Sequence, residues 1–85
     1  MWYVYIILCK NKSLYTGMTN DLSRRLKEHK AGRGGRFTKI FGVKRMVYQE
    51  ECLTRSAALK REARIKRFPK KKKLALIKEW RRQSK

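Results

Sequence analysis

The chain opens with a run of eight residues whose two alternating faces are both apolar. Residues 2–9 are rich in β-branched and aromatic side chains, which favours an extended strand. A strand that is apolar on both faces is usually covered on both sides, so we expect this one at the centre of a sheet. One face carries Tyr3, Tyr5, Ile7 and Cys9, and the other carries Trp2, Val4, Ile6 and Leu8.

A short polar turn and further periodic segments complete the predicted fold. Residues 10–13 form the turn, and so short a link joins antiparallel strands. Hydrophobic periodicity predicts strands 2–9, 14–18 and 43–52 and helices 22–31, 55–67 and 70–82, with residues 37–41 ambiguous. The order β-β-α-β-α-α predicts an α+β fold, with a small three-stranded antiparallel sheet and helices packed on it.

Capping residues support the first two helices. Asn20 or Asp21 can cap the helix 22–31, and Thr54 or Ser56 can cap the helix 55–67. Pro69 ends the second helix, because proline disfavours helical backbone at the residue before it.

Net positive charge is the main indication of a binding partner. The 85 residues include 25 lysines and arginines against 6 acids, a formal net charge of +19. A polyanion would offset the resulting self-repulsion, and nucleic acid is the commonest intracellular polyanion. The length predicts one domain, 1–85, and a hydrophobic content of 41% excludes a disordered basic tail.

Two isolated cysteines and the N-terminal segment indicate the compartment. Cys9 and Cys52 form no CxxC pair, and with the single His29 they cannot complete a set of four zinc ligands. They fit buried thiols in a reducing compartment, although a disulfide is not excluded. Residues 2–8 lack the basic lead of a signal peptide and are too short to span a membrane. We therefore expect a cytoplasmic protein.

Arg25 and His29 form the first functional pattern. Four residues apart on the helix 22–31, they lie beside the Leu22 and Leu26 stripe and point toward the sheet edge. A guanidinium held near a packed surface can grip a phosphate through two hydrogen bonds. The alternative is structural, with the arginine extended along the surface and the histidine closing the core.

Glu62 is the only acid of the helix 55–67. Helical geometry places it on the inward face, among Ala58, Leu59 and Ile65. A carboxylate at the core boundary needs a partner, which is either a basic side chain or a divalent cation. A single carboxylate suffices for Mg²⁺ where substrate phosphate and water complete the coordination. Spacing alone leaves both partners open.

Tyr5 and Tyr15 come from the two strands of one hairpin. Tyrosines in strands most often only pack, but nearby cations or a metal lower the pKa of a phenol and make a general base of it. Gly17 follows Tyr15 closely and would let a substrate backbone approach.

Two basic segments are expected to contact a phosphate backbone. The glycine-rich segment 32–36 lacks the lysine-serine or lysine-threonine ending of a nucleotide-binding loop, so it either wraps a DNA or RNA backbone or is a plain connection. The lysine block 70–73 is either a solvated face or a phosphate contact. The predicted nucleic-acid-binding residues are Gly17, Arg33, Arg36, Lys39, Lys70, Lys71, Lys72 and Lys73.

Two tripeptides and the segments around them carry a family resemblance. Tyr3-Val4-Tyr5 and Tyr15-Thr16-Gly17 resemble the two signatures of the GIY-YIG nucleases, and residues 14–29 and 58–66 are similar to that family's strand-to-helix segment and acidic helix. The resemblance covers residues 2 to about 77. It is strongest to small stand-alone bacterial members and to the nuclease domain of branched-DNA endonucleases. Tyr3 replaces a glycine and Thr16 an isoleucine, both outside the chemistry implied.

The resemblance implies a metal-dependent endonuclease that hydrolyses DNA, with a role in DNA repair. Tyr15 would be the general base or would position the water, with Tyr5 beside it. Arg25 would clamp the phosphate, and His29 would bond to a tyrosine or to the phosphate. Glu62 would hold one Mg²⁺ or Mn²⁺.

Other functions remain open at this point. The chain would also suit a non-catalytic DNA- or RNA-binding protein on the same fold, an RNA-associated protein, or a membrane-surface protein bound through residues 70–82. We expect DNA as the partner, branched or structured DNA included, with RNA less favoured. Neither a membrane nor an obligate protein partner is indicated.

Overall fold

The computed structural model describes residues 1–83 and contains one antiparallel sheet of three strands. The elements in chain order are β1 (Trp2–Cys9), β2 (Leu14–Thr19), α1 (Leu22–Lys30), α2 (Arg36–Phe41), β3 (Val43–Cys52), α3 (Arg55–Lys66) and α4 (Lys70–Gln83). The strand order is β2-β1-β3. The predicted α+β class is confirmed, and β1 is the central strand, as its two apolar faces predict.

The sheet is covered on both faces, and each face has its own apolar cluster. One cluster joins β1 and β3 to α3 and α4, and its buried members include Val4, Ile6, Val47, Ala58, Ile65 and Ile77. The other joins β1 to α1, and it comprises Tyr5, Ile7 and Cys9 with Tyr15, Leu22, Leu26, Val43 and Met46 packed against them. The candidate site residues of the hairpin therefore lie on the α1 face.

The β1–β2 register places three of those residues on one face of the hairpin. Tyr5 lies opposite Gly17, and Ile7 lies opposite Tyr15. Residues directly opposite each other in an antiparallel pair project to the same side of the sheet. The phenol rings of Tyr5 and Tyr15 therefore start from neighbouring positions on one surface, which α1 then covers.

Capping hydrogen bonds fix where α1 and α3 begin. Asp21 accepts from the backbone N–H of Arg24 at 3.0 Å, and Thr54 accepts from that of Ala57 at 3.0 Å. In each helix one of the two residues predicted as a cap occupies the position. Packing of Leu22 and Leu26 against the β1 cluster turns this side of α1, with the buried His29, toward the sheet.

The segment left ambiguous by periodicity is a helix, so the predicted element order omitted α2. Six residues are too few to show a 3.6-residue repeat, and glycines border the helix at both ends, with φ 134° at Gly35 and 73° at Gly42. Leu59 was also placed wrongly on the inward face of α3, because it is 44% exposed. The other predicted helix and strand ends agree with the structure to within one residue.

Two remaining expectations concern thiols and membranes. Cys9 and Cys52 are both buried free thiols. Within residues 1–83, no helix combines the length and the apolar character that crossing a membrane requires.

Thr16 on β2 offers a test of the cost of an unpaired polar group in the core. Its hydroxyl is buried and has no hydrogen-bond partner within residues 1–83. An unpaired buried hydroxyl destabilises the folded state, so Thr16→Val should raise the free energy of unfolding by about 1 kcal/mol. The melting temperature should rise by about 4–8 °C, as expected for a domain of this size, in a calorimetric or circular-dichroism melt.

Thr19→Val is the matched control. Thr19 is buried on the same strand, but its hydroxyl oxygen accepts from the Asp21 backbone N–H at 3.1 Å. This variant should lower the melting temperature. If both variants shifted the melting temperature in the same direction by the same amount, the Thr16 hydroxyl would not be the unpaired group that destabilises the fold.

Candidate active site

A buried tyrosine–histidine pair joins β1 to α1. Tyr5 Oη lies 2.7 Å from His29 Nε2, and the exposed fractions of the two residues are 0% and 1%. The other ring nitrogen, Nδ1, lies 2.7 Å from the hydroxyl of Thr38 on α2. Both nitrogens of His29 are therefore bonded inside the protein. Of the two partners expected for it, a tyrosine or the phosphate, His29 is bonded to the tyrosine.

Burial controls the protonation of this pair. Burial, assisted by repulsion from the Arg25 cation, lowers the pKa of His29 to about 4, and the Glu28 carboxylate opposes the shift only in part. Burial also raises the pKa of Tyr5 to about 12, against the opposing effect of Arg25. At neutral pH the imidazole and the phenol are both uncharged.

Gly17 makes room for the Tyr5 side chain. A Cβ atom at this position would lie 2.5 Å from Tyr5 Oη and 2.6 Å from Cζ. Sequence reasoning explained this glycine by the approach of a substrate, whereas the structure gives it an internal reason. Any side chain here would push the Tyr5 hydroxyl away from His29.

Tyr15 lies between the buried pair and the protein surface. Its ring centroid is 5.2 Å from that of His29 and 6.4 Å from that of Tyr5. On its other side it stacks on Phe37, with centroids 5.7 Å apart and planes inclined by 30°. Phe37 and Thr38 were missed by the sequence analysis because both lie on the ambiguous segment. The sequence signals these two residues only through a short segment of apolar and basic residues between Gly35 and Gly42.

Arg25 is fixed at the edge of the same cluster. Its guanidinium donates to the Gly34 carbonyl at 2.9 Å and to the Glu28 carboxylate at 3.1 Å, and its side chain is 31% exposed. Interaction with Tyr5 is the main cause that raises its pKa further. The structure thus presents a partly exposed cation beside the Tyr5 phenol.

Glu62 approaches the cluster from α3 and is only loosely paired. Its carboxylate lies 3.7 Å from Lys66 Nζ, and the two side chains are 17% and 53% exposed. After burial and Tyr15, its charge is a further cause of the raised pKa of Tyr5. An exposed lysine one helical turn away contributes little to stability, so most of the coordinating capacity of Glu62 remains.

The glycine-rich segment 32–36 is packed against α1. Gly34 is buried, and a Cβ atom there would lie 2.4 Å from His29 Nδ1. Of the two predicted roles, this contact favours a tight internal connection over a loose wrap. The basic residues predicted nearby, Arg33, Arg36 and Lys39, are exposed.

The lysine block at the start of α4 is separate from the tyrosine–histidine cluster. Lys70 donates to the Lys12 carbonyl at 3.2 Å, and the Lys72 ammonium lies 4.2 Å from the centroid of the Phe68 ring. Partial burial and the Lys66 cation lower the pKa of Lys73. Lys71 is exposed. The block is therefore less uniformly solvated than a run of four lysines suggests.

The depressed pKa of His29 predicts a specific dependence of stability on pH. Imidazole has a pKa of about 6.5 in an unfolded chain, so acid favours the unfolded state as soon as the pH falls below that value. The stabilisation is complete above pH 6.5 and should be lost progressively down to about pH 4. The loss should be on the order of 3 kcal/mol, measured by urea unfolding at a series of pH values.

His29→Gln isolates this effect from the titration of carboxylates. The variant is less stable at pH 7, but it has no imidazole to protonate, so its stability should fall less steeply between pH 6.5 and 4. Equal slopes for the two proteins would show that His29 is not the responsible group.

Comparison with known proteins agrees with this geometry. Residues 1–75 match the family model described as the GIY-YIG catalytic domain. The chain is 49% identical over 77 residues to a UPF0213 protein of Staphylococcus saprophyticus and 47% identical over 77 residues to one of Staphylococcus aureus, covering 91% of this chain and 94% of each relative.

A solved structure extends the similarity to the fold. The solution NMR structure of a UPF0213 protein from Bacillus halodurans is 37% identical, with a TM-score of 0.58, over 92% of this chain and 84% of that one. The tyrosine-bearing hairpin, the helix that carries Glu62 and the match over most of the sequence lead to one assignment: the chain belongs to the GIY-YIG catalytic domain family, a family of nucleases.

Proposed function

We propose that this protein is a divalent-metal-dependent endonuclease that hydrolyses phosphodiester bonds in DNA. The observation that carries the proposal is the 2.7 Å bond between a buried tyrosine hydroxyl and a neutral histidine, with an arginine beside it. A structural core has no need of this combination, since an apolar pair would fill the same space without leaving polar groups to satisfy. Hydrolysis of a phosphodiester needs both a proton acceptor and a cation.

The Tyr5–His29 pair supplies the proton acceptor. In this proposal Tyr5 donates its proton to His29 Nε2, and a water that enters with the substrate reaches a remaining lone pair of Tyr5 Oη, which is out of solvent in the free protein. As the water attacks phosphorus, the bond from phosphorus to the leaving oxygen breaks. The proton of the water passes to Tyr5 Oη while Tyr5 releases its own proton to His29, and the leaving oxygen takes a proton from solvent. Tyr15, which lines the same cluster nearer the surface, positions the water.

Arg25 binds the scissile phosphate and adjusts the proton acceptor at the same time. Its cation is one cause of the low pKa of His29 in the free protein. A phosphate bound to the guanidinium neutralises that repulsion, so the affinity of His29 for a proton rises when substrate is in place. The charge that develops on the phosphate is stabilised by the same guanidinium.

Glu62 is the residue that would hold the metal. Within residues 1–83 no group of three or more histidine, cysteine or acidic side chains is placed to bind a cation. A largely buried carboxylate with one weak ionic partner fits Mg²⁺ or Mn²⁺, because such ions take most of their ligands from water and substrate phosphate. When bound, the cation would supply further charge stabilisation to the phosphate.

Exposed cations near the cluster are proposed to bind the DNA backbone. Arg33, Arg36 and Lys39 follow α1 and lie on or beside α2, the helix whose Phe37 stacks on Tyr15. The lysines 70–73 provide a second basic region at the start of α4. Phosphate contacts of this kind position the backbone without reading its sequence.

The decisive experiment compares substrates and metals directly. The protein is incubated with supercoiled, single-stranded and branched DNA, and with RNA of equal length, with Mg²⁺, with Mn²⁺ and with chelator. Metal-dependent cleavage of DNA supports the proposal. Binding without cleavage under every condition would leave a non-catalytic binding protein, and preferential retention of duplex RNA in competition would indicate an RNA partner.

Glu62→Gln tests the metal role. The amide keeps the size of the side chain but removes the charge that attracts a cation. Cleavage should fall by two or more orders of magnitude, because each ~1.4 kcal/mol of lost transition-state stabilisation is tenfold in rate. DNA affinity without metal should stay the same or rise slightly, and the melting temperature should change little.

Glu79→Gln is the matched control. Glu79 also forms an ion pair within its helix, with Arg82 at 3.5 Å, and is more exposed. The Glu79→Gln variant should cleave DNA at the wild-type rate. If Glu62→Gln melts early yet still cuts at the wild-type rate when folded, Glu62 is only the partner of Lys66.

The proposed backbone contacts predict a steep salt dependence of binding. Each neutralised phosphate contributes about −0.9 to the slope of log affinity against log salt concentration on duplex DNA. Arg36→Gln should make the slope shallower by about that amount in fluorescence-anisotropy titrations. Lys78→Gln, on the exposed side of α4, should leave it unchanged. A wild-type slope near zero would contradict the electrostatic interface.

A further inference from the structure

The side chain of Thr38 is placed to decide which nitrogen of His29 carries the proton. Thr38 is 1% exposed, and its Oγ1 atom lies 2.7 Å from His29 Nδ1, a distance equal to that between Nε2 and Tyr5 Oη. A neutral imidazole has one N–H donor and one bare nitrogen acceptor. Whichever role Nδ1 takes toward Thr38, Nε2 must take the other toward Tyr5.

A third contact favours one direction for this chain of hydrogen bonds. The Thr38 hydroxyl lies 3.5 Å from the carbonyl oxygen of Gly35, which can only accept. When the hydroxyl donates to that carbonyl, its lone pair accepts from Nδ1–H. Nε2 is then bare and receives the Tyr5 proton, which is the arrangement that a proton acceptor requires.

The backbone beside Thr38 holds both the imidazole and the guanidinium. Gly34 lets the backbone pass close to His29, since a Cβ there would lie 2.6 Å from Cγ and 2.8 Å from Cα. The Gly34 carbonyl accepts from Arg25, and the next carbonyl accepts from Thr38. Two successive peptide groups thus orient the two polar residues of α1 that face the sheet.

We propose that Thr38 is a positioning residue, which holds His29 in the tautomer protonated at Nδ1 so that Nε2 accepts from Tyr5. The kinetic consequence of this proposal rests on the proposed nuclease function, whereas the tautomer itself does not. Thr38 touches neither the water nor the phosphate in the proposed reaction and acts only through His29.

The tautomer can be measured without any substrate. His29 is the only histidine of the chain, so its two ring nitrogens give an unambiguous pair of ¹⁵N resonances in a long-range ¹H–¹⁵N correlation spectrum. In the wild type at pH 7, Nδ1 should have the shift of a protonated nitrogen and Nε2 that of a bare one. The reverse assignment in the wild type would overturn the proposal.

Thr38→Val and Thr38→Ser separate the hydroxyl from the shape of the side chain. Valine fills nearly the same volume but cannot accept from Nδ1–H, so this tautomer should lose its dominance. Serine restores the hydroxyl and should restore the wild-type resonances. If the valine variant keeps the wild-type tautomer unchanged, Thr38 does not determine it. If that variant does not fold, the wild-type and serine spectra still decide the assignment.

Cleavage by the same three proteins measures the consequence. Thr38→Val should lower kcat at least tenfold with little change in KM, because the phosphate-binding side chains remain, and Thr38→Ser should recover most of the rate. A wild type that shows the predicted tautomer but never cuts would refute the nuclease proposal alone. A valine variant with an altered tautomer and an unchanged kcat would refute the positioning role alone.

Discussion

The hydrogen bond between Tyr5 and His29 is the interaction on which the rest of the site depends. It connects the central strand to the helix that covers it, entirely out of solvent. Because both groups are buried, their polar atoms need hydrogen-bond partners inside the protein. The residues around them provide those partners and the space for the two rings. Gly17 leaves space for the phenol, and Gly34 leaves space for the imidazole. Arg25 lies at the border, where its charge helps to keep the imidazole neutral.

The pairing of the few acids explains how Glu62 stays loosely paired in a chain of net charge +19. Asp21 caps a helix, and four of the glutamates form ion pairs within the described residues. The Glu50–Arg61 pair is short, at 3.0 Å, and Glu50 also accepts from the Tyr48 hydroxyl. The Glu62–Lys66 pair is the longest of the four at 3.7 Å, and Lys66 is largely exposed. The surrounding protein therefore holds the Glu62 carboxylate in place, while its ionic contact with Lys66 is weak.

Local sequence signals predicted most of the fold, and their failures have two physical causes: a helix too short to show a repeat, and contacts between distant segments. The double-faced apolar pattern of β1 and the capping residues act over a few positions, so they could be interpreted without knowledge of the tertiary structure. The helix α2 could not, because six residues between glycines show no repeat. The partner of His29 at Thr38 and the internal reason for Gly17 depend on contacts between segments distant along the chain. The exposure of Leu59 likewise depends on how α3 rotates against the sheet, which its own sequence does not determine.

Both tryptophans lie on one face of the sheet and the two tyrosines of the site lie on the other, so each face carries its own spectroscopic reporter. Trp2 and Trp80, the two tryptophans of the chain, pack against the cluster beneath α3 and α4. Tyr5 and Tyr15 lie on the opposite face, with His29. Indole emission therefore follows the detachment of the two C-terminal helices, whereas the ring resonances of Tyr5 and Tyr15 follow the opposite surface. Tyr48 stays with the tryptophans, its ring centroid 6.3 Å from that of Trp80. With these two signals, one sample can report separately on the loss of packing of α3 and α4 and on ligand binding at the opposite face.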